Sequence, residues 1–422
     1  MYKKTKLSNG LKVITHRMPS KQSVSLGIWI KTGGRYEPAQ VKGVAHFIEH
    51  LLFKGSKKYS CRKIKESIEG IGGSLNGFTS EEVTCYLVKI PATYLNLAMD
   101  ILSDMVINPL FLPADIEKER TVILEEIKMY KDLPQSYVHE LLDGLMWPKQ
   151  PLGESILGTF ETILRMKKND LATFKKQYYT PPNIVLSAAG ALDHSQLVSR
   201  ARHIFSGRCE KKMNGFLKAE EIQVKPQLEI FYKETEQAHL ALGFHSFKRG
   251  HPLKHALGLL NIILGGNMSS RLFNEVREKR GLSYEIGTQL KRFEDTGAFL
   301  VHAGMDNKKV IPAIKLILEE LSRAKAKVVT EDEFRRAKDF YLGQLMLALE
   351  DTMDSMLWIG ETTVALDKAY TLEEIIKEVR SVKRHDLQEA AKQVFKENNL
   401  NLALIGPLKN KEAEISGILR LN

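Results

Sequence analysis

The sequence is poor in cysteine and contains no long apolar run. Its 422 residues include three cysteines, Cys61, Cys85 and Cys209, which are odd in number and far apart. Such a set argues against a disulfide framework and against a cysteine-based metal site. No apolar run approaches the ~20 residues that a membrane-spanning helix needs, and residues 1–6 lead into strand-like sequence rather than a signal peptide. We therefore expect no membrane segment and a cytoplasmic location.

The chain also lacks a concentrated block of basic residues. Its formal net charge is +11, but lysine and arginine are spread along the chain and no RNA- or DNA-binding motif is visible. Scattered lysines usually solvate a surface, and we therefore expect no nucleic-acid partner, although a basic nucleic-acid binder is one alternative. With 43% hydrophobic and 27% charged residues, the composition is that of a globular protein. Its length exceeds one hydrophobic core and predicts two domains.

The most specific pattern in the chain is His-x-x-Glu-His at residues 46–50. Two imidazoles four residues apart lie on one face of a helix, where His46 and His50 could hold a divalent metal with Glu49 beside them as a base. Residues 43–54 predict a buried helix that Gly55 ends as a C-terminal cap. The alternative is a structural helix, in which the histidines cap a polar edge and the glutamate is solvated.

A second segment predicts a long helix with buried acidic residues. Residues 113–134 show helical periodicity. The apolar stripe consists of Ile116, Ile123, Ile127 and Tyr130. Glu119 and Glu126 are two turns apart on the same side, and buried carboxylates need partners, which a metal ion and a histidine N–H would supply. A surface helix with i,i+4 ion pairs is the alternative, and it suits Glu117, Lys118 and Glu125 better than Glu126.

Together these motifs resemble the inverted zinc metallopeptidases, the pitrilysin-like or M16 family, in which His-x-x-Glu-His is followed by a distal glutamate. Glu126 lies 76 positions after His50. The resemblance implies that His46, His50 and Glu126 bind one zinc ion, that Glu49 deprotonates the attacking water, and that Glu119 supports the ligands. The same donors could accept manganese or cobalt. The resemblance covers essentially the whole chain, including residues 7–13, 76–80, 152–159 and 179–183.

The second half of the chain contains a further signature of this family at residues 269–284. Considered without the family resemblance, the segment predicts a helix that ends at Gly281 in the left-handed conformation, followed by a strand starting near Tyr284. On that basis Arg277 would complement the helix dipole, and Tyr284 would be a half-buried strand aromatic. The resemblance implies instead that Arg277 and Tyr284 face the zinc site and contact the substrate or its developing oxyanion.

Residues 75–79 resemble the edge strand of the family, which binds an extended peptide by strand addition. The residues of this substrate strand are Asn76, Gly77, Phe78 and Thr79. The alternative for this segment is an ordinary internal strand.

The sequence shows signs of an internal duplication. Leu26-Gly27 and Leu242-Gly243 are 216 positions apart, and the same offset relates residues 183–192 to residues 399–408. This predicts an α+β protein of two homologous α/β sandwich domains, each a mixed sheet with helices packed on one face. We expect the catalytic metal-binding domain at residues 1–212, a linker at 213–226, and a domain without the metal motif at 227–422. His251 and His255 lack an adjacent glutamate and are expected not to bind metal, and residues 330–333 predict a capping box.

The resemblance also implies an assembly and a function. Long members of the family carry both halves of the site in one double-length chain, whereas this chain has half that length and resembles the short M16B-type branch, with mitochondrial processing peptidase and its bacterial relatives. We therefore expect a homodimer that encloses a chamber with two zinc sites, each completed by the partner subunit. The expected function is a zinc-dependent endopeptidase for extended or unfolded peptides, and the alternative is a non-catalytic assembly subunit of the same fold.

Overall fold

The computed structural model describes residues 2–206 and 215–421, which form two compact units. The first unit contains Met1–Ile127, Ser155–Leu217 and Leu345–Leu372, and the second contains Lys128–Glu154, Lys218–Gln344 and Glu373–Asn422. Residues 207–214, which include Cys209 and the start of the expected linker, lie outside the described residues. Residues 215–226 form no helix or strand, and the expected domain limits at 212 and 227 stay a prediction.

Each unit is built on one mixed β-sheet. The strands are β1 (Tyr2–Lys6), β2 (Lys12–Arg17), β3 (Ser23–Ile30), β4 (Ser74–Thr79), β5 (Thr84–Pro91), β6 (Ile184–Gly190), β7 (Gln227–Tyr232), β8 (Gln237–Ser246), β9 (Glu285–Arg292), β10 (Gly297–Asp306) and β11 (Leu400–Gly406). The first sheet has the order β1-β2-β6-β3-β5-β4, and the second has the order β7-β11-β8-β10-β9. Strand β4 is therefore at an edge of the first sheet.

The two sheets share one topology. Strands β2 and β6 pair in parallel, as do β7 and β11, whereas the remaining neighbours are antiparallel. The order β2-β6-β3-β5-β4 thus recurs as β7-β11-β8-β10-β9. The two segments related by the sequence offset fall in β3 and β8 and in β6 and β11. The predicted α+β fold with two homologous halves is confirmed.

Helices cover the sheets. They are α1 (Val44–Leu52), α2 (Cys61–Glu69), α3 (Leu95–Ile107), α4 (Pro113–Asp132), α5 (Pro134–Met146), α6 (Phe160–Arg165), α7 (Lys168–Tyr178), α8 (His194–Ile204), α9 (Lys254–Gly265), α10 (Val310–Ala326), α11 (Glu331–Ala348), α12 (Thr352–Leu366), α13 (Leu372–Ser381), α14 (Arg384–Val394) and α15 (Glu412–Ile418). In the described ranges, no helix is long and apolar enough to cross a membrane.

Successive side chains along the strands of the first sheet point to its two opposite faces. One face, with Val24, Leu26 and Ile28, belongs to the main apolar core together with α1 and α3. On the opposite face, Trp29 and Val185 pack against α12. Helix α5 likewise covers one face of the second sheet. Each sheet therefore has one further helix beyond its main helical layer, and that helix comes from the other half of the sequence.

Two local predictions in the second unit can be compared with the structure. The capping box is confirmed, because Thr330 N–H donates to Glu333 (3.0 Å) and Glu333 N–H donates to Thr330 Oγ1 (3.2 Å). Gly281 is left-handed as predicted, with φ of +56°. The helix before it is not α-helical throughout, because Phe273–Glu278 forms a π-helical turn in which Lys279 N–H donates to Asn274 O. Such turns are rare and often occur at functional sites.

Candidate metal centre

Helix α1 holds the His-x-x-Glu-His motif on a firmly packed support. Its apolar residues are buried in the core of the first unit. At its N-terminus, Gly43 has φ of +91°, and the buried Glu37 carboxylate accepts hydrogen bonds from Gly43 N–H (2.9 Å) and Ala45 N–H (2.8 Å). Glu37 therefore satisfies two of the N–H groups that a helix start leaves unpaired.

The other end of α1 differs from the prediction. The helix ends at Leu52, and Phe53 is the C-terminal cap, with its N–H bonded to Leu51 O. Gly55 has φ of +141° and forms an isolated bridge with Ser60. The prediction of Gly55 as the helix cap was wrong, because the chain already turns at Phe53 and uses the glycine to enter the following loop.

Helix α4 agrees with the predicted helix, and it presents Glu119 and Glu126 towards α1. Ile116, Ile123 and Ile127 are buried, and so is Glu119, whereas Glu126 is half-buried. Tyr130 was wrongly placed on the buried stripe, because its side chain is 39% exposed beyond the last buried turn.

The imidazoles of His46 and His50 converge with the carboxylate of Glu126. The Nε2 atoms of His46 and His50 lie 3.8 Å and 3.6 Å from Oε2 of Glu126. One potential ligand atom from each of the three residues lies within 4.8 Å of the others, and no other set of this kind occurs in the described parts of the chain. These contacts are too long for hydrogen bonds. They are close to about 3.4 Å, the separation of ligands that surround a tetrahedral zinc ion at about 2.1 Å.

The charge state of these groups also suits a cation. Burial, and then the neighbouring His50, lowers the pKa of His46 to about 3, which leaves its ring neutral with a free lone pair at neutral pH. Burial raises the pKa of the Glu126 carboxyl. Among the described residues, His46 Nδ1 has no hydrogen-bond partner. A half-buried carboxylate beside two imidazoles is an arrangement that a divalent ion would neutralise, and with three protein ligands zinc would keep one position open.

A carboxylate orients one of the two histidines. His50 Nδ1 lies 3.1 Å from Oε2 of Glu119, at hydrogen-bond distance. If Nδ1 carries the proton, Nε2 is left as the lone-pair atom that faces Glu126. The other oxygen of Glu119 lies 2.5 Å from Nζ of Lys54.

Glu49 lies in a partly buried position, between the two histidines in the sequence. Its Oε2 accepts a hydrogen bond from Thr79 Oγ1 at 3.1 Å. Burial raises the pKa of Glu49, which favours a carboxylate that can accept a proton and later release it. The hydroxyls of Tyr86 and Tyr179 share a hydrogen bond of 2.8 Å, and burial, with a further contribution from the Glu49 charge, raises the pKa of both phenols.

The expected substrate strand is the edge strand β4. It pairs with β5 on one side only, and Asn76 is exposed. Gly77 lies against the ring of Phe53, where an added Cβ would come within 3.1 Å of ring carbons. Phe78 packs edge-on against Trp29, with ring centroids 5.7 Å apart. Of the four residues predicted for the substrate strand, Asn76 has the exposed side chain, whereas Phe78 and Thr79 have partners within the unit.

Arg277 and Tyr284 belong to the second unit. The Arg277 guanidinium lies in the π-helical turn, 4.7 Å from the ring centroid of Phe273 and 5.6 Å from that of Tyr284. The Arg277 side chain is 40% exposed, and Tyr284 is 74% exposed. The interpretation of Tyr284 as a half-buried strand aromatic does not match this exposure.

His251 and His255, the two histidines that follow β8, have structural partners. His251 Nδ1 accepts a hydrogen bond from Leu253 N–H (3.1 Å) just before α9, and the His251 ring stacks on Phe247. His255 Nε2 lies 2.7 Å from Oε2 of Glu378. Neither belongs to the group of converging ligand atoms described above.

Three contacts of the site were not predicted from the sequence. They are the Glu37 cap of α1, the Lys54–Glu119 ion pair and the Thr79–Glu49 hydrogen bond. Only Lys54 had a local signal, because it follows His50 by four residues and therefore falls on the same side of the chain.

Comparison with known proteins places the chain in a family. Residues 12–160 match the model of Insulinase (Peptidase family M16), and residues 165–341 match that of the Peptidase M16 inactive domain. The chain is 38% identical to the uncharacterized zinc protease YmxG of Bacillus subtilis, over 97% of this chain and 99% of the relative. It is 35% identical to an uncharacterized zinc protease of Streptomyces coelicolor, over 97% of this chain and 91% of the relative.

Solved structures show the same fold. A protease from Helicobacter pylori superimposes with a TM-score of 0.92 at 22% identity, covering 96% of this chain and 100% of the other. A peptidase M16 inactive domain from Pseudomonas fluorescens gives a TM-score of 0.88 at 18% identity, with 96% and 98% coverage. From the family models and the sequence relatives together, the chain belongs to peptidase family M16.

Proposed function

We propose that this chain is a zinc-dependent endopeptidase of the short, M16B-type branch, acting on extended or unfolded peptides. The observation that carries the proposal is the convergence of His46, His50 and Glu126, with Glu49 on the same helix as the two histidines. The relatives compared above are named zinc proteases, which supports the same chemistry.

In this proposal, His46, His50 and Glu126 hold one zinc ion per chain. When bound, the ion supplies Lewis acidity, which acidifies water and polarises a peptide carbonyl. Glu49 takes a proton from the attacking water and passes it to the leaving amine, a role that suits a partly buried carboxylate with a raised pKa. Glu119 orients His50 through its contact with Nδ1.

The substrate binds as an added strand beside β4. An edge strand offers unpaired N–H and C=O groups, and pairing along them requires an extended peptide. Asn76 and the main chain around Gly77 and Phe78 make this contact. Because main-chain pairing selects substrates by their extended conformation more than by their side chains, folded proteins are poor substrates.

Arg277 and Tyr284 contact the substrate or the oxyanion that develops on its carbonyl. We infer that they do so in a homodimer, in which two copies of the chain enclose a chamber and each zinc site is completed by the partner subunit. Their exposure in the single chain leaves both side chains available for such a contact.

The substitution Glu49→Gln tests the base. It keeps the size of the side chain and the three metal ligands but removes the proton acceptor. We expect zinc content to stay at the wild-type level while peptide cleavage falls by roughly 10²–10⁴-fold. Metal analysis and mass-spectrometric mapping of products from an unstructured peptide library measure both quantities on the same samples.

Chelation and reconstitution provide the control, because a chelator should abolish peptide cleavage by the wild-type protein and added zinc should restore that cleavage. Retained turnover in pure Glu49→Gln protein would show that another group is the base. A wild-type protein that carries zinc but cleaves nothing across a broad library would instead favour the non-catalytic assembly subunit.

A further inference from the structure

Lys54 is a charged residue beside the metal centre that the mechanism above does not use. It lies four residues after His50, just beyond the end of α1. Its Nζ is 2.5 Å from Oε1 of Glu119, while His50 Nδ1 is 3.1 Å from Oε2 of the same carboxylate. The Glu119 side chain is 4% exposed, and its two oxygens contact two side chains from one end of α1 and the turn after it, in the order Lys54, Glu119, His50.

A carboxylate buried to this extent needs a compensating positive charge. Leaving such a group without a partner is strongly unfavourable, and the group then takes up a proton or contacts another partner. An imidazole N–H compensates one oxygen but carries no net charge when the ring is neutral. The Lys54 ammonium supplies the charge through an ion pair with Oε1, and Oε2 is the oxygen that faces His50.

The orientation of His50 depends on that direction. With Nδ1 held by Glu119, the ring turns Nε2 towards Oε2 of Glu126, at 3.6 Å. If Glu119 rotated, this restraint on the ring would be lost, and with it the alignment of the three ligand atoms. Groups that orient a metal-binding histidine through its second nitrogen commonly change metal affinity by 10–100-fold when they are removed.

We propose that Lys54 is a positioning residue for the metal centre, which holds Glu119 and through it orients His50 for zinc binding. The inference rests on the proposed zinc site. For the change in zinc affinity on removal of Lys54, the inference predicts the opposite of what charge alone predicts. An ammonium group repels Zn²⁺, and by charge alone its removal would tighten metal binding. The positioning role requires that removal weakens it.

The experiment measures zinc affinity on the full chain after metal removal, by competition with a chromogenic chelator. Lys54→Met is expected to raise the Kd for Zn²⁺ by about tenfold. Lys54→Arg keeps the positive charge next to Glu119 and should retain most of the affinity. Lys57→Met removes the same charge from an exposed position three residues further along and should leave the Kd unchanged.

A double-mutant cycle tests whether Lys54 acts through Glu119. Glu119→Gln should itself weaken zinc binding, and adding Lys54→Met in that background should cause no further loss, because no buried charge remains to be held. Circular dichroism and thermal unfolding check that each variant is folded, and Lys54→Gln replaces Lys54→Met if the latter does not fold.

The outcomes separate this inference from the proposed function. An unchanged or lower Kd in Lys54→Met, or a loss of equal size in the Glu119→Gln background, would overturn the role of Lys54 and leave the zinc site intact. A wild-type chain that binds no zinc would refute the metal centre itself.

Discussion

Thr79 connects the proposed substrate strand to the proposed base, and this gives a prediction at the scale of one hydrogen bond. Thr79→Val keeps the shape of the side chain but removes the donor to Glu49 Oε2. A hydrogen bond to a charged group is worth about 1.5–3 kcal/mol, and we therefore expect kcat to fall by roughly 10–100-fold. KM and zinc content should change little, because Glu49 is not a proposed ligand. Steady-state kinetics on a fluorogenic peptide measures the effect.

Two further variants define what would contradict this prediction. Thr79→Ser retains the hydroxyl and should keep most of the activity. Thr84→Val, at the position paired with Thr79 on β5, removes a buried hydroxyl that donates to Thr32 O (2.9 Å) and should lower stability without lowering kcat. If the valine and serine variants at position 79 had equal kcat, the contact with Glu49 would have no catalytic role.

At the residue scale, the sequence predicted what depends on local spacing. The interval between His46 and His50 indicates a shared helix face without any tertiary knowledge, and Glu119 and Glu126 follow from the same periodicity. The contacts made by Thr79 and Glu37 could not be predicted in this way, because each joins a side chain to a different element. Physical chemistry says that a buried carboxylate needs a partner, but not which distant residue supplies it.

At the scale of secondary structure, the packing of α12 on the first sheet depends on a glycine. A Cβ added at Gly360 would lie 2.1 Å from Nε1 of Trp29, which is buried and donates to Ser187 Oγ (2.8 Å). Alanine favours a helix by about 1 kcal/mol over glycine, but forcing α12 away from Trp29 costs more. We expect Gly360→Ala to destabilise the protein by about 1–3 kcal/mol, as measured by chemical denaturation.

Gly343 provides the matched control for this prediction. It lies in α11, and apart from the chain neighbours and the backbone of that helix, no atom of the described residues lies within 4 Å of a Cβ built at that position. Gly343→Ala should therefore stabilise the protein by up to about 1 kcal/mol, because only the helix preference acts. Shifts of the same sign in both variants would mean that Gly360 does not determine the packing of α12.

The elements themselves were largely predictable, whereas their partners were not. Strand alternation, the long helix α4 and the capping box of α11 are set by residues close in sequence. Helices α5 and α12 pack on sheets formed mainly by the other half of the chain, and no short-range pattern specifies that choice. The π-helical turn before Gly281 has no known periodicity signal either, since it adds one residue to an otherwise helical turn.

At the scale of the whole molecule, the two halves of the duplication share a fold but differ in their candidate functional residues. Both halves keep the same strand order, but within residues 2–206 and 215–421 the three converging ligand groups occur in the first half alone. In the second half, His255 pairs with Glu378, whereas the side chains of Arg277 and Tyr284 are exposed. If the proposed dimer is correct, the two halves contribute different parts of one site from different copies of the chain.

Mixing two inactive variants tests this arrangement. The Glu49→Gln variant lacks the proposed base, and the Tyr284→Phe variant lacks the proposed phenol donor. Each variant should therefore show little or no peptide cleavage as a homodimer. Coexpression with two affinity tags gives heterodimers in which one of two sites combines an intact Glu49 with the partner's intact phenol. If sites are completed across a two-fold interface, an unselected mixture should recover about a quarter of wild-type activity.

The converse pairing distinguishes the two arrangements by opposite results. When a chain carrying both Glu49→Gln and Tyr284→Phe is paired with a wild-type chain, a site shared between subunits is damaged in both copies, and the purified heterodimer should show almost no cleavage. A site completed within one chain would instead leave the wild-type subunit active, while the mixture of single variants would recover nothing. A site shared between subunits predicts cleavage only for the heterodimer of the two single variants, whereas a site within one chain predicts cleavage only for the heterodimer of the double variant with wild type. Peptide cleavage by tandem-purified heterodimers therefore shows which chain supplies Tyr284.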